Sequence, residues 1–314
     1  MEKKIVIGIP CYNEAPSIEK VVEDFRRELP TADILVVDNN SKDQTAQLAK
    51  KAGAIVICEK RQGKGFAVQR IFQEFSGDAL VLVDGDDTYI ASDVHKLLAL
   101  FEKGEAEMVV GNRIHEKNKK TFSLSHWYGN KFLTTCLNFS FGTRLSDMES
   151  GFRVIDGKFV LISSLLAGGF NTEPEITIQA LEKGMRIKEV QISLQTRKAG
   201  SSSKLNAVKD GIMALYTVVS LFRDYKPMNF FALFSGVLFV LGMSLGWYGV
   251  RGYFSSGLVD HLPALVVANF LVLASFISFI AGLILSSIKR RHNELVVILN
   301  RKKNENWNYY CKLQ

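Results

Sequence analysis

Residues 79–88 read ALVLVDGDDT, an apolar run of five residues followed directly by Asp84, Asp86 and Asp87. The run predicts a short buried strand over residues 79–83, and the polar residues mark its carboxyl end. Ligands of open α/β sheets bind beyond the carboxyl ends of the strands. Carboxylates this close repel one another unless a cation is present, and their hard oxygens suit Mg²⁺ or Mn²⁺. A solvated acidic turn before a helix near Ser92 is the alternative interpretation.

The segments around this strand alternate apolar runs with helical patterns. Apolar runs at 5–9, 34–37 and 55–57 are each followed by a helical pattern, at 17–29, 45–52 and 66–75. Strands joined by helices predict an α/β fold with a mostly parallel, Rossmann-like sheet covered on both faces. Before the third helix, residues 61–65 (RQGKG) offer Lys64 between glycines. This loop is either a ligand-binding loop or an ordinary helix-entry turn, and it lacks the P-loop pattern.

The charge of the chain is unevenly distributed. The 314 residues include 39 Lys+Arg and 32 Asp+Glu, a net charge of +7. Residues 1–226 hold 31 basic and 29 acidic side chains, and residues 227–250 hold none of either. Residues 251–314 therefore hold the remaining 8 basic and 3 acidic side chains. A basic nucleic-acid-binding face is therefore not expected, and neither is a nucleic-acid partner. The four cysteines form no CxxC pair, which argues against a zinc site or a disulfide framework and favours reduced thiols in the cytosol.

Two stretches, 227–250 and 262–288, contain no charged residue. Each exceeds the roughly 20 residues that a helix needs to cross a bilayer, so we expect two transmembrane helices joined by a short extracytoplasmic turn at 251–261. Two buried helices of a soluble core are the alternative. The segment 289–314 is basic, which places it in the cytoplasm by the positive-inside rule, together with the first domain, 1–204. The sequence thus predicts a multi-pass protein of the inner (cytoplasmic) membrane.

Between the first domain and the first span, residues 205–226 carry apolar side chains at steps of three and four. This spacing predicts an amphipathic juxtamembrane helix. Its position directly before a span favours a helix that lies in the membrane interface. Packing against its own domain is the alternative.

Five groups of residues, taken in chain order, resemble the family 2 (GT-A) glycosyltransferases. The groups are Pro10, Tyr12, Asn13 and Glu14; Asp38, Ser41, Asp43 and Thr45; Asp84 and Asp86; Ser146, Asp147, Ser150, Gly151, Phe152 and Arg153; and Arg197, Gly200, Ser203, Lys204 and Leu205. More narrowly, they resemble polyprenyl-phosphate glycosyltransferases of the GtrB and dolichol-phosphate mannose synthase type. The two C-terminal spans match the GtrB branch.

The resemblance implies an inverting, metal-dependent transfer of a sugar from a nucleotide sugar to a polyprenyl phosphate, such as undecaprenyl phosphate, for modification of a cell-envelope glycan. The donor stays open between a UDP-hexose, such as UDP-glucose or UDP-GlcNAc, and GDP-mannose. Mg²⁺ or Mn²⁺ is the implied cofactor, and a homo-oligomer such as a tetramer is the implied assembly. Because a phosphate monoester is already ionised near neutral pH, the reaction hardly needs a strong general base.

The resemblance also implies residue roles. Nucleotide-sugar contacts fall on Pro10, Tyr12, Glu14, Asp38, Lys64 and Asp84. By this resemblance, Asp86 binds the metal directly, and Asp84 lies nearer the ribose and a metal-bound water. Thr88 belongs to the metal site at the position where mannosyl relatives have glutamine. Catalytic roles fall on Asp147, Asp86 and Arg197, with Asp147 orienting the nucleophile or stabilising charge on the sugar. Lipid-phosphate contacts fall on Arg113, Arg153, Arg197, Ser203 and Lys204.

Some of these assignments have alternatives. Arg153 is a structural contact in the alternative, and residues 146–153 then form a capped turn with a buried salt bridge. Glu173 and Glu175 match an acidic pair that faces the site. A second family arginine is absent, and His126 or Lys131 is a candidate replacement.

Two other functions compete with this one. A processive polysaccharide synthase normally carries a QxxRW motif near the membrane, whereas none of Trp127, Trp247 and Trp307 follows an arginine. A catalytically inactive nucleotide-sugar-binding membrane scaffold would have no need of Asp84, Asp86, Asp147 and Arg197, which are all present.

Overall fold

The computed structural model describes residues 3–114, 124–163, 165, 172–195, 216, 219–220, 222–259 and 261–311. The chain divides into two compact units, Met1–Val218 and Val219–Gln314. Most of the predicted juxtamembrane helix, 205–226, lies outside the described residues.

In the first unit, the described residues form a seven-stranded sheet in the order β3-β2-β1-β4-β6-β5-β7. The elements are β1 (Ile5–Cys11), α1 (Ile18–Glu28), β2 (Asp33–Asp38), α2 (Thr45–Lys51), β3 (Ile55–Cys58), α3 (Lys64–Glu74), β4 (Ala79–Leu82), a 3₁₀ turn (Ala91–Asp93), α4 (Val94–Glu102), β5 (Met108–Asn112), α5 (Leu124–Phe141), β6 (Arg153–Asp156), α6 (Gly157–Ile162), α7 (Thr172–Glu182) and β7 (Ile187–Gln191). Strand β6 runs antiparallel to β4 and β5, and the other pairs are parallel. The predicted mostly parallel α/β sheet is confirmed.

Helices cover both faces of this sheet. Helices α1, α2 and α4 bury one face, and α3, α6 and α7 bury the other. Helix α1 shows the reason, because Ile18, Val21, Val22 and Phe25 recur at helical spacing and are all buried. All four residues of β4 are buried, as its unbroken apolar run requires of a strand covered on both sides.

The antiparallel strand β6 brings a turn to the carboxyl edge of its neighbours. Its first residue, Arg153, pairs with Leu82 of β4 and with Val110 of β5. The turn that precedes Arg153 therefore lies beside the loops that follow β4 and β5. No pattern in the sequence indicates this reversal of direction.

The second unit contains α8 (Pro227–Val250), a short α9 (Tyr253–Ser256) and a long α10 (Leu262–Cys311). Helix α8 and the stretch Leu262–Arg291 of α10 are long and apolar enough to cross a membrane, and only 11% of each apolar window is buried. Small residues allow the two helices to pack closely: the hydroxyls of Ser235 and Ser275 lie 3.1 Å apart. The structure thus matches the two predicted spans, but α10 continues as one helix through most of the predicted basic tail.

Candidate active site

The loops after β1, β2 and β4 meet at the carboxyl edge of the sheet. Cys11, the last residue of β1, is buried at their centre. Burial raises the pKa of its thiol, and the nearby charges of Glu14, Asp38, Asp84 and Asp86 raise it further. The loop after β4 packs tightly on this thiol, since a Cβ at Gly85 would lie 2.5 Å from the Cys11 Sγ. The structure thus brings together the carboxylates that the sequence places on three separate strands.

Several motif residues after β1 and β2 hold these loops to each other. The backbone N–H of Asn13 donates to Ser41 Oγ at 2.9 Å, and that of Glu14 donates to Thr45 Oγ1 at 2.8 Å. Asp43 Oδ1 in turn accepts from the Thr45 N–H at 3.0 Å. The short polar side chains of this motif therefore fix the shape of the site.

Asp38 ends β2 and is buried, with 5% of its surface exposed. Its Oδ2 accepts from the backbone N–H of Ser41 at 3.2 Å, whereas Oδ1 has no hydrogen-bond partner among the described residues. A buried carboxylate oxygen without a donor is costly in free energy. This oxygen suits a ligand hydroxyl or N–H. Of the other predicted nucleotide contacts, Pro10 is buried within β1, while Tyr12 and Glu14 are partly exposed.

Lys64 lies between two carboxylates. It begins α3 directly after Gly63, whose φ of +141° favours glycine. Its Nζ lies 2.6 Å from Asp84 Oδ1 and 2.5 Å from Glu173 Oε1 of α7. Burial alone would lower the pKa of Lys64, but the two carboxylate charges raise it well above its ordinary value. The ammonium is therefore charged and lies beside the first aspartate of the DGDD loop.

The three aspartates of this loop have different partners. Asp86 Oδ1 accepts from the backbone N–H of Thr88 at 3.1 Å and from its hydroxyl at 2.6 Å. Asp87, with a left-handed φ of +59°, accepts from Lys20 Nζ at 2.6 Å and from Gln195 Nε2 at 2.9 Å. Asp87 is thus paired with the Lys20 ammonium, which also contacts Asp24 Oδ2 at 3.0 Å. The Thr88 hydroxyl, predicted near the metal, donates a hydrogen bond to Asp86 and so positions that carboxylate.

Asp84 and Asp86 supply the oxygen donors that a divalent cation needs. Among the described residues, no three His, Cys, Asp or Glu side chains converge on one metal position. Mg²⁺ is commonly bound by one or two carboxylates together with substrate phosphates rather than by a cage of protein ligands. Two aspartates at one strand end fit an ion that arrives with a diphosphate.

Asp147 and Arg113 are paired with each other. The Asp147 side chain is fully buried, and its Oδ2 accepts from the Arg113 N–H at 2.9 Å and from Arg113 Nε at 2.8 Å. Its Oδ1 accepts from Arg113 Nη2 at 2.9 Å and from Asn130 Nδ2 at 2.7 Å. Burial alone would raise the pKa of Asp147, but the Arg113 guanidinium holds it below its ordinary value. This is the buried salt bridge of the alternative interpretation, and it leaves no exposed Asp147 oxygen.

Arg153, predicted as a phosphate contact or a structural contact, is held by groups inside the fold. The residue is fully buried, and its Nε and Nη2 donate to the carbonyls of Ser150 and Met148 at 2.7 and 2.5 Å. Its Nη1 donates to Thr177 Oγ1 at 2.7 Å. Arg153 is therefore the structural contact of the alternative, because its guanidinium fixes the turn before β6. From the sequence alone, a motif arginine suggests an anion ligand. The burial of Arg153 shows that its guanidinium is used inside the fold.

Three other predicted residues, Arg197, Ser203 and Lys204, lie outside the described residues. Lys131 is exposed on α5. Two residues without a predicted role join the site. Asn130 contacts Asp147, and Glu149 follows two positions later, with a pKa raised to about 7 by burial. Position within the 146–153 motif was the available signal for Glu149, but burial cannot be read from a single sequence.

Comparison with known proteins agrees with this architecture. A family model described as Glycosyl transferase family 2 matches residues 6–160. Glycosyltransferase AglJ of Haloferax volcanii is 28% identical over 245 residues, which cover 78% of this chain and 80% of AglJ. Protein RfbJ of Shigella flexneri is 44% identical over 122 residues, which cover 39% of this chain and 95% of RfbJ.

A solved structure shares the fold. Glucosyl-3-phosphoglycerate synthase of Mycobacterium tuberculosis, in complex with Mn²⁺, UDP-glucose and phosphoglyceric acid, matches with a TM-score of 0.55 and 22% identity. The match covers 70% of this chain and 79% of the synthase. At this identity the likeness concerns the fold alone.

Proposed function

The chain belongs to glycosyl transferase family 2 and is a glycosyltransferase, and from this premise we propose that it transfers a hexose from a nucleotide sugar to a polyprenyl phosphate at the cytoplasmic face of a membrane. One observation carries the proposal: the same chain combines the carboxylate-lined sheet edge with two helices long and apolar enough to cross a membrane. An acceptor with a phosphate headgroup on a lipid chain suits an enzyme anchored in this way.

UDP-glucose is our first candidate for the donor. Low-salt glycan biosynthesis hexosyltransferase Agl6 of Haloferax volcanii is 29% identical over 256 residues, covering 78% of this chain and 60% of Agl6. Its name supports a hexose. The mycobacterial synthase of the same fold was solved with UDP-glucose and Mn²⁺, which supports this donor and a divalent cation.

The residues at the edge of the sheet divide the work on the donor. Asp38 Oδ1 accepts from a hydroxyl or N–H of the nucleoside, which satisfies its lone pairs. Asp84 and Asp86 would hold Mg²⁺ or Mn²⁺ together with the diphosphate. When bound, the ion stabilises negative charge on the leaving diphosphate. The Lys64 ammonium, 2.6 Å from Asp84, adds a second positive charge at the same place.

The transfer itself is a single displacement. An acceptor phosphate oxygen attacks the anomeric carbon opposite the leaving diphosphate, so the configuration inverts. The bond from the anomeric carbon to the diphosphate breaks, and nucleoside diphosphate leaves. Positioning of the two substrates by the chain supplies much of the rate enhancement. We place this reaction in the cytoplasm because Lys289, Arg290 and Arg291 follow the second apolar stretch.

Analysis of the lipid product tests the proposal. Membranes containing the protein are incubated with undecaprenyl phosphate, Mn²⁺ or Mg²⁺, and UDP-glucose, UDP-GlcNAc or GDP-mannose in turn. We expect one donor to give a lipid whose mass increases by the one sugar unit of that donor. If none of the donors gives a lipid-linked sugar, the proposed function is wrong.

Asp86→Asn and Asp87→Asn provide a matched pair of variants in this assay. Asp86 lies at the proposed metal position, whereas Asp87 is turned toward Lys20. Asparagine tolerates the left-handed backbone at position 87, where φ is +59°. Asp86→Asn should therefore abolish transfer, and Asp87→Asn should retain it.

A further inference from the structure

The strand order places the turn before β6 next to the proposed donor site. Along the edge of the sheet, Asp38 ends β2, Glu14 follows β1, and Asp84 and Asp86 follow β4. The next strand is the antiparallel β6, so the turn at 148–151 comes next in this series. A Cβ at Gly151 would lie 2.6 Å from Asp84 Oδ2, so the turn touches a carboxylate proposed to bind the metal ion beside the diphosphate. A group in this turn is therefore placed beyond the diphosphate, on the side opposite the nucleoside.

Glu149 is the residue that this turn presents. The carbonyls on either side of it, those of Met148 and Ser150, both accept hydrogen bonds from the buried Arg153 guanidinium. Its backbone is thus held by contacts on both sides. Its carboxyl is partly buried and forms no hydrogen bond or ion pair with any residue in the described part of the chain. A partly buried carboxyl without a partner, in a turn beside a proposed binding site, is a functional candidate.

The charged groups facing Glu149 come from three places in the fold. They are Arg113 after β5, Asp147 in the same turn and Glu173 on α7. The Arg113 guanidinium is bound to Asp147, and Glu173 shares the Lys64 ammonium with Asp84. Burial raises the pKa of Glu149 to about 7; Arg113 opposes this rise, and Asp147 and Glu173 reinforce it. Glu149 therefore keeps its proton up to near-neutral pH, and a neutral carboxyl has an O–H to donate.

We propose that Glu149 contacts the acceptor phosphate and that its neutral carboxyl donates its O–H to one phosphate oxygen. The inference rests on the proposed function, which supplies a phosphate acceptor. A hydrogen bond from O–H to an anionic oxygen is among the stronger ones in proteins. Once ionised, Glu149 loses this donor and adds a negative charge beside Asp147 and Glu173, so it repels the acceptor. Glu149 thus makes acceptor binding dependent on pH.

The test is the KM for undecaprenyl phosphate as a function of pH in wild type, Glu149→Gln and Glu102→Gln. A single group with a pKa of about 7 predicts that the wild-type acceptor KM rises about fivefold from pH ~7 to pH ~8. The phosphate itself is mostly dianionic over this range, because its second pKa is about 6. Glutamine keeps an N–H donor and cannot ionise, so Glu149→Gln should have a flat profile. Glu102, exposed at the end of α4, is the matched control and should behave as wild type.

Two further measurements make the test decisive. Glu149→Ala lacks any donor and should raise the acceptor KM at every pH, while the KM for the nucleotide sugar stays unchanged. The Tm of Glu149→Gln should equal that of wild type, since the carboxyl has no partner among the described residues. The inference is overturned if Glu149→Gln keeps the wild-type pH profile, or if Glu149→Ala changes the KM for the nucleotide sugar and not that for the acceptor. In either case, transfer by wild type still supports the proposed function. Absence of transfer by wild type with every donor overturns both.

Discussion

Asp147→Asn should act mainly on stability. The variant keeps the shape of the side chain but removes the negative charge that Arg113 contacts through its N–H, Nε and Nη2. It also places an amide NH₂ group against donors. Removing one partner of a buried ion pair costs about 3–5 kcal/mol, because the other charge is left uncompensated. For a unit of this size, each kcal/mol lowers Tm by about 2–4 °C, so we expect a fall of about 6–20 °C.

Thermal unfolding of the detergent-solubilised single variants Asp147→Asn and Arg113→Met, and of the double variant, measures this effect. With both charges removed, no buried charge is left alone. The double variant should therefore be more stable than the sum of the single changes predicts, by up to about 3 kcal/mol. The pKa of Asp147 is lowered in the folded state, so its contribution is present above the ordinary carboxyl pKa and is lost as pH falls through the lowered value. Loss of transfer by Asp147→Asn at an unchanged Tm would refute this structural role and restore Asp147 as a catalytic residue.

Three further predictions concern the metal, the turn and the hairpin. Chelation of divalent cations should weaken binding of nucleoside diphosphate by wild type but have little effect on Asp86→Asn, as measured by calorimetry; equal effects on both proteins would contradict the metal site. Gly151→Ala should lower kcat/KM by more than tenfold at a nearly unchanged Tm, because the new Cβ would lie 2.6 Å from Asp84 Oδ2 and displace it; normal transfer would show that Asp84 tolerates displacement. Gly242→Leu should lower the stability of the packed pair α8 and α10 in detergent, since even a Cβ there would lie 2.9 Å from Val272 Cγ2. Gly236→Leu should not lower it, because a Cβ at Gly236 would meet nothing within 4 Å.

The strands and helices of the sheet's first half could be predicted from the sequence. Strands buried on both faces produce unbroken apolar runs, and β1, β2, β3 and β4 all begin and end within one residue or two of the predicted limits. Clustering of polar residues after these strands followed from the parallel direction alone. The two candidate membrane helices could also be predicted, because their long uncharged apolar stretches are visible in the sequence.

The second half of the site depends on contacts between residues distant in sequence. Asp147 and Arg113 are 34 positions apart, and the pair forms because antiparallel β6 lies between β4 and β5. Neither the direction of β6 nor the burial of Arg153 leaves a periodic signal in the sequence. Asp87 has a left-handed backbone, and its carboxylate contacts Lys20, which is 67 positions away. Charge and spacing therefore pointed to segments that the fold brings together, while burial and hydrogen bonds distinguish the side chains within them.

Transfer of labelled sugar into lipid is the most direct test of the central claim. Wild type and Asp86→Asn, purified in the same detergent, are incubated in parallel with undecaprenyl phosphate, Mn²⁺ and UDP-[¹⁴C]glucose, and the organic phase is counted and its product identified by mass. We expect a glucosyl-phosphoryl lipid from wild type and none from Asp86→Asn at equal Tm. Equal incorporation by both proteins would contradict the proposed function, because the transfer would then not depend on the carboxylates at the edge of the sheet.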